Sequence, residues 1–249
     1  MSSREDWQRR LGPLYGGAVA LVCSTPWRWP TEVGDDARAP GWIVALGVPV
    51  GLFAWATAAL AHAAGIPAPL AAVIGLAMLS VGGAALVERG LVEQIDRWQG
   101  PAPSGRAATP AAMLALVFVT IVRAGSISVV AHGDWLLVFL ATAVAGRWAA
   151  ILLQALGDPI HHDDSRRSLV ATPAPAWLTA AISAGVAVLV IFALGKAGVV
   201  ALALAALAAF GLGLEAQRRD GGLSPPVVAV AAAVAELLVL LIATSVLRS

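Results

Sequence analysis

A cluster of acidic and basic residues follows the second long apolar stretch of the chain. Residues 82–96 read GGAALVERGLVEQID, so three carboxylates and one arginine stand where a membrane helix would leave the bilayer. If the helix continues, Arg89, Glu93 and Asp96 lie within about 60° of one another on its surface. Glu88 then lies roughly 100° from Arg89. Such carboxylates can hold a magnesium ion for phosphate chemistry, or they can be neutralised by Arg89.

The composition defines the environment in which this cluster must work. Of the 249 residues, 59% are hydrophobic and 12% are charged, and the mean hydropathy is +0.83. Because soluble domains carry roughly one-quarter charged residues, we predict an integral membrane protein. Its expected partner is therefore the lipid bilayer in which it is embedded. The net charge of +1 argues against nucleic acid as a partner. The single cysteine, Cys23, excludes an internal disulfide.

Hydropathy predicts an all-α, polytopic membrane helix bundle. We expect residues 1–40 to form a cytoplasmic or interfacial segment and residues 41–249 a single transmembrane domain, with Gly and Pro residues between its spans. The sixth span is short and borderline. About seven segments are long and apolar enough to cross a bilayer: 42–62, 67–87, 108–131, 135–157, 176–195, 197–214 and 225–247.

The arginines outside the spans predict the orientation. They concentrate in the N-terminal region and in the loops after spans two, four and six, whereas the opposite loops and the C-terminus carry only Lys196 and Arg248. Positive charge near span ends is retained in the cytoplasm. We therefore expect a bacterial inner-membrane protein with a cytoplasmic N-terminus and a periplasmic C-terminus.

Three ionisable residues fall inside predicted spans: Arg123, Arg147 and Glu236. Each costs at least about 2.5 kcal/mol in the bilayer interior unless it is paired or hydrated. The simplest arrangement pairs Glu236 with Arg147 or Arg123 inside the bundle. A charged ligand cavity or an ion path is the alternative.

Other chemically suggestive residues carry less information. Asp158, His161, His162, Asp163 and Asp164 crowd one predicted cytoplasmic loop, and imidazole beside carboxylate can bind zinc. Adjacent residues rarely converge on one ion without a regular element to orient them, so we interpret this segment as a solvated loop. His62 and His132 stand alone at exterior span ends.

Four stretches of the chain resemble the cobalamin synthase family, the membrane-embedded adenosylcobinamide-GDP ribazoletransferases of vitamin B12 assembly. In span four, residues 143–147 (AVAGR) are similar to a family A-x-x-S-R stretch, and residues 90–96 (GLVEQID) resemble the later half of the motif GGFHLDGLADTxDG. Residues 24–27 (STPW) resemble the family's N-terminal entry. Residues 221–224 (GGLS), with Glu236, resemble the motif GGxTGDxxGAxxExxE. The resemblance implies a magnesium-dependent phosphotransferase fold.

The departures from these motifs affect the acids most. In the register that aligns Gly90, the family's histidine and first aspartate fall on Val87 and Arg89. The family's DSRxGxxG motif falls on residues 105–112, which read GRAATPAA, and its TGD triplet falls on residues 224–226, which read SPP. In the motif that residues 90–96 resemble, Glu93 and Asp96 are therefore the only acids left. A guanidinium beside them adds positive charge where a divalent cation would bind.

From these residues we expect a member of this family whose phosphotransferase site has decayed, acting as a non-catalytic structural or accessory subunit beside other membrane proteins. No cofactor is expected in that case. The first alternative is an active ribazoletransferase, in which Glu88, Glu93 and Asp96 hold magnesium and Arg147 holds phosphate. The second alternative is a transporter of small molecules or protons built on the charges inside the spans.

Overall fold

The computed structural model describes residues 4–27, 36–99, 108–157, 169 and 173–247. These residues form helices and connections without a β-strand, and two 3₁₀ turns lie at Gly12–Leu14 and His132–Asp134. The predicted loop at 158–164 and the predicted cytoplasmic arginines 28, 106, 166 and 167 lie outside this part of the chain. The helices are α1 (Arg4–Leu11), α2 (Tyr15–Ser24), α3 (Ala39–Ala45), α4 (Gly47–Ala63), α5 (Ala68–Gly82), α6 (Leu86–Trp98), α7 (Pro110–Ser128), α8 (Trp135–Leu156), α9 (Ala176–Leu194), α10 (Lys196–Asp220) and α11 (Pro225–Val246).

The described residues contain six candidate membrane spans, or seven if α5 and α6 count as one bent span. The predicted all-helical membrane bundle is therefore confirmed. The sixth predicted span was underestimated, because α10 has 25 residues and continues to Asp220. Its last turns are polar but carry an Arg219–Glu215 ion pair four residues apart, and the helix ends at Gly221, which has a positive φ of 75°.

Helices α8 and α11 form the centre of the bundle. Their apolar windows are buried over 78% and 67% of their residues, against 22–39% in the other candidate spans. Small residues permit this packing, because a Cβ at Gly51 of α4 would lie 2.9 Å from the carbonyl oxygen of Phe139 in α8. A Cβ at Gly75 of α5 would lie 2.8 Å from the carbonyl oxygen of Ala54. Helix α8, which carries Arg147, is thus closely packed against α4, and α4 against α5.

The second predicted span, 67–87, is interrupted in the structure. Helix α5 ends at Gly82, and the chain turns by 74° before α6 begins at Leu86. Ala84 and Ala85 both adopt left-handed backbone conformations, with φ of 56° and 53°. The predicted span 67–87 is therefore interrupted after Gly82, whereas Arg89, Glu93 and Asp96 do lie on one continuous helix, α6.

The N-terminal region contributes a short buried helix. Helix α1 is amphipathic in composition and mostly exposed, whereas α2 buries Tyr15, which is 2% exposed, and packs on α3. Trp42 of α3 lies close to Gly16 and Gly17, where a Cβ would come within 3.1 and 3.3 Å of its indole ring. The last residue of α2, Ser24, is fully buried and faces the centre of the bundle.

Candidate functional site: a buried charge cluster

The bend between α5 and α6 positions one carboxylate in the interior of the bundle. Glu88 lies in the first turn of α6, and its Oε1 accepts a hydrogen bond from the hydroxyl of Ser80 in the last turns of α5. The side chain of Glu88 is only 20% exposed. A straight helix would have carried Glu88 away from Ser80, so the interrupted geometry creates this site.

Arg123 of α7 joins two carboxylates from different helices. Its Nη1 donates to Glu88 Oε1 at 2.9 Å, and its Nη2 donates to Glu236 Oε2 of α11 at 2.6 Å. Arg123 and Glu236 are buried, at 5% and 6% side-chain exposure. The pairing expected for Glu236 is therefore made with Arg123, while the participation of Glu88 was not predicted. Glu88, Arg123 and Glu236 form a buried ion triad.

Arg147 of α8 faces the same interior space with fewer contacts. Its Nη1 donates to the carbonyl oxygen of Ala143 in its own helix at 3.1 Å, and its Nε is buried without a hydrogen-bond partner. A Cβ at Gly83 would lie 3.8 Å from its Nη2. Within the described residues, no carboxylate lies within salt-bridge distance of Arg147, so the sequence-predicted alternative of an Arg147–Glu236 pair is not formed.

A small cavity lies between these groups. Two carboxylates and two guanidiniums line it, so their formal charges cancel. Ser24 and Ser80 were not predicted to lie here, because each belongs to a different segment of the chain. The polar residues of its wall are Ser24, Ser80, Glu88, Arg123, Arg147 and Glu236.

The remaining acids of α6 lie elsewhere. Glu93 Oε1 is 3.3 Å from Arg89 Nε, and the two side chains are about half exposed, at 48% and 51%. This is the i,i+4 pair that the sequence predicted. Both residues line a second, shallower depression beside Pro226 of α11, outside the wall of the charged cavity.

Asp96 has a different partner from the one that its position beside Glu93 suggested. Its Oδ1 accepts hydrogen bonds from the backbone N–H and the hydroxyl of Thr109, at 3.0 and 2.6 Å. Thr109 is the N-cap of α7, and its hydroxyl oxygen accepts from the N–H of Ala112 at 3.3 Å. Asp96 thus ties the last turns of α6 to the start of α7.

This geometry predicts a structural effect at Asp96. Replacement of Asp96 by alanine is expected to reduce the free energy of unfolding by about 1–2 kcal/mol, because it removes both hydrogen bonds to the cap of α7. Thermal unfolding in detergent measures the loss. Thr109→Val should lose a similar amount, and the double variant should lose less than the sum of the two. Additive losses would contradict the tie.

The described residues do not fit a magnesium site. Magnesium requires oxygen ligands in near-octahedral geometry, usually including carboxylates. Glu88, Glu93 and Asp96 contact three different partners, and no three His, Cys, Asp or Glu side chains of the described chain are placed to hold one ion. Of these three acids only Glu88 lines the charged cavity, and it already contacts the guanidinium of Arg123.

Taken together, the spans and the buried charges define a polytopic helical membrane protein with a charge-balanced polar centre. The family model of cobalamin-5-phosphate synthase matches residues 17–244, and the chain belongs to this family. The resemblance found in the sequence motifs is thereby confirmed. No curated protein and no solved structure matches the chain.

Proposed function

We propose that this family member is a non-catalytic membrane protein, a structural or accessory subunit in which an ion triad stands in place of a metal-dependent transfer site. One observation carries the proposal: Arg123 bridges Glu88 and Glu236, and Arg147 lines the same cavity, so two guanidiniums already balance the two carboxylates that face it. The triad involves Arg123, whereas the motif comparison had placed the disabling charge at Arg89.

Electrostatics supports this proposal. Transfer of a phosphorylated nucleoside to a nucleotide-activated acceptor gathers several negative charges, and metal ions gripped by carboxylates stabilise them. A divalent cation entering this cavity would meet two guanidiniums at close range. The described acids offer no compensating excess of negative charge, because Glu93 pairs with Arg89 outside the cavity wall.

The exposed apolar faces are consistent with a subunit embedded among lipids and other membrane helices. Leu114, Phe118 and Ile121 of α7 follow one face of the helix and are 70%, 66% and 64% exposed. Side chains of this kind require lipid or another apolar helix around them. The arginine distribution favours a bacterial inner membrane with the N-terminus in the cytoplasm and the C-terminus in the periplasm.

The direct test is an assay of transferase activity. Purified protein is incubated with α-ribazole phosphate, adenosylcobinamide-GDP and magnesium, beside a family member that retains the complete acidic motifs. We expect no product above the protein-free background. An Arg89→Asp variant should also be inactive, because Arg89 lies outside the cavity wall. Turnover by the unmodified chain at about 1 s⁻¹ or faster would overturn the proposal.

The accessory role needs its own measurement. Crosslinking in native membranes, followed by isolation in mild detergent, is expected to recover the chain with at least one other membrane protein at fixed stoichiometry. Recovery of a lone monomer under conditions that preserve known membrane complexes would contradict the subunit assignment.

An active ribazoletransferase is the second candidate, and Arg147 is the observation that favours it. Arg147 is 5% exposed, lines the cavity and has no carboxylate within salt-bridge distance in the described chain, as a phosphate-binding group would. In that case magnesium would be the cofactor, and Arg147→Met should abolish the turnover that the unmodified chain shows in the same assay.

A further inference from the structure

Two histidines that are far apart in the sequence come together at one end of the bundle. The ring centroids of His62, in the last turn of α4, and His132, between α7 and α8, are 5.6 Å apart, and their planes are tilted by 47°. Both residues are exposed. This end lies at the opposite end of α5 from Ser80, so the pair is separate from the charge cluster. The sequence-based description of two isolated histidines was wrong.

The surroundings of the pair are ordered by hydrogen bonds. The buried indole of Trp135 packs against both imidazoles, with centroid distances of 5.8 and 6.4 Å. Its Nε1 donates to the carbonyl oxygen of Val130 at 3.1 Å, and the N–H of Ala131 donates to the carbonyl oxygen of Leu247 at 3.2 Å. The segment that carries His132 is therefore hydrogen-bonded to the end of α11, and the imidazole of His132 packs against the buried indole of Trp135.

The orientation of His62 leaves one ring nitrogen available. Its Nδ1 is 3.1 Å from the carbonyl oxygen of Ile66. A carbonyl oxygen only accepts, so Nδ1 carries the proton and Nε2 of the neutral ring keeps its lone pair. Backbone carbonyls orient metal-binding histidines in this way.

We propose that His62 and His132 bind one divalent transition-metal ion at this end of the bundle. A tetrahedral ion lies about 2.0–2.1 Å from each nitrogen, so two imidazoles that share it have ring centres roughly 5 Å apart. The observed separation of 5.6 Å differs from this value by an amount that small side-chain rotations cover.

The donor set determines the class of ion. Imidazole nitrogens suit Cu²⁺, Ni²⁺ and Zn²⁺, and Cu²⁺ binds most strongly in this series. Mg²⁺ prefers oxygen ligands and is excluded. Since the described residues bring no third metal-binding side chain to the pair, water completes the coordination shell and the ion remains exchangeable. The bound ion links the last turn of α4 to the α7–α8 connection.

The experiment uses the full chain in lipid nanodiscs, purified without a histidine tag. The chain has four histidines, so replacing His161 and His162 by alanine leaves His62 and His132 alone. Titration calorimetry with Zn²⁺ or Cu²⁺ is expected to give one ion per chain, with no binding of Mg²⁺. The electron paramagnetic resonance spectrum of bound Cu²⁺ should show coordination by two imidazole nitrogens. This measurement tests the site without any further substitution.

Variants then locate the site. His62→Ala and His132→Ala should each weaken binding by at least about tenfold, because each removes one of two protein ligands. The matched control is Asp134→Asn, a charge change close to His132 that should leave the affinity unchanged. Zn²⁺ should raise the melting temperature of the chain that keeps both His62 and His132, but not that of His62→Ala or His132→Ala. A spectrum with fewer than two imidazole nitrogens, or equal affinities for all variants, would overturn the proposal.

Discussion

Replacing Arg123 by methionine is expected to destabilise the folded protein by about 3–5 kcal/mol, because it leaves two buried carboxylates without their cation. Glu236 is 6% exposed and Glu88 is 20% exposed, so water cannot readily solvate the orphaned charges. Equilibrium unfolding in detergent with increasing denaturant measures the loss. The control is Arg9→Met, which breaks a salt bridge with Glu5 whose side chains are 78% and 79% exposed, and should cost less than about 1 kcal/mol.

A compensated variant separates charge from packing. In Arg123→Met combined with Glu88→Gln, one carboxylate (Glu236) and one guanidinium (Arg147) remain in the cavity wall, so the formal charges cancel again and much of the lost stability should return. Glu236→Gln alone should cost less than Arg123→Met, since Arg123 keeps its 2.9 Å contact with Glu88. A double variant as unstable as Arg123→Met would show that side-chain shape, rather than charge, holds this region together.

The second large effect is expected at Gly90 of α6. A Cβ at this position would overlap the Cβ of Ala229 in α11 and would lie 3.4 Å from the carbonyl oxygen of Pro226. Gly90→Ala must therefore push α6 away from α11, and overpacking of this kind costs about 1–3 kcal/mol, partly offset by the better helix propensity of alanine. The displacement also draws Glu88 away from Arg123. Thermal unfolding in nanodiscs measures the effect.

Two further variants make this test specific. Ala229→Gly in the Gly90→Ala background recreates the missing space and should restore much of the stability. Gly185→Ala in α9 is the matched control, because a Cβ there meets nothing within 4 Å and should stabilise the helix by up to about 1 kcal/mol. Equal melting temperatures for Gly90→Ala and Gly185→Ala would contradict the close contact between α6 and α11.

Much of the fold is predictable from sequence because bilayer dimensions constrain it. Long apolar runs between Gly and Pro residues located α7, α8, α9 and α11 to within a few residues, as expected where every backbone group must bond within its helix. The break after Gly82 was missed, because Ala84 and Ala85 are good helix formers whose left-handed conformations depend on tertiary contacts.

The site was predictable only where a strong energetic penalty left few solutions. The cost of isolated charge in the bilayer predicted that Glu236 pairs with Arg147 or Arg123, and the structure forms the pair with Arg123. No such rule placed Glu88 with them, since its contact with Arg123 depends on the 74° bend. The approach of His62 to His132 was not predicted either, because it depends on how the last turn of α4 and the α7–α8 connection pack at the end of the bundle.

The early end of α5 has a consequence for the surrounding lipid. A helix of 15 residues is about 22 Å long, whereas the hydrocarbon layer is about 30 Å thick. Hydrophobic mismatch of this size draws phospholipid head groups inward or tilts neighbouring helices. We therefore expect the thermal stability of this protein to depend on acyl-chain length. Reconstitution in short-chain phosphatidylcholine should give a higher melting temperature than reconstitution in long-chain phosphatidylcholine.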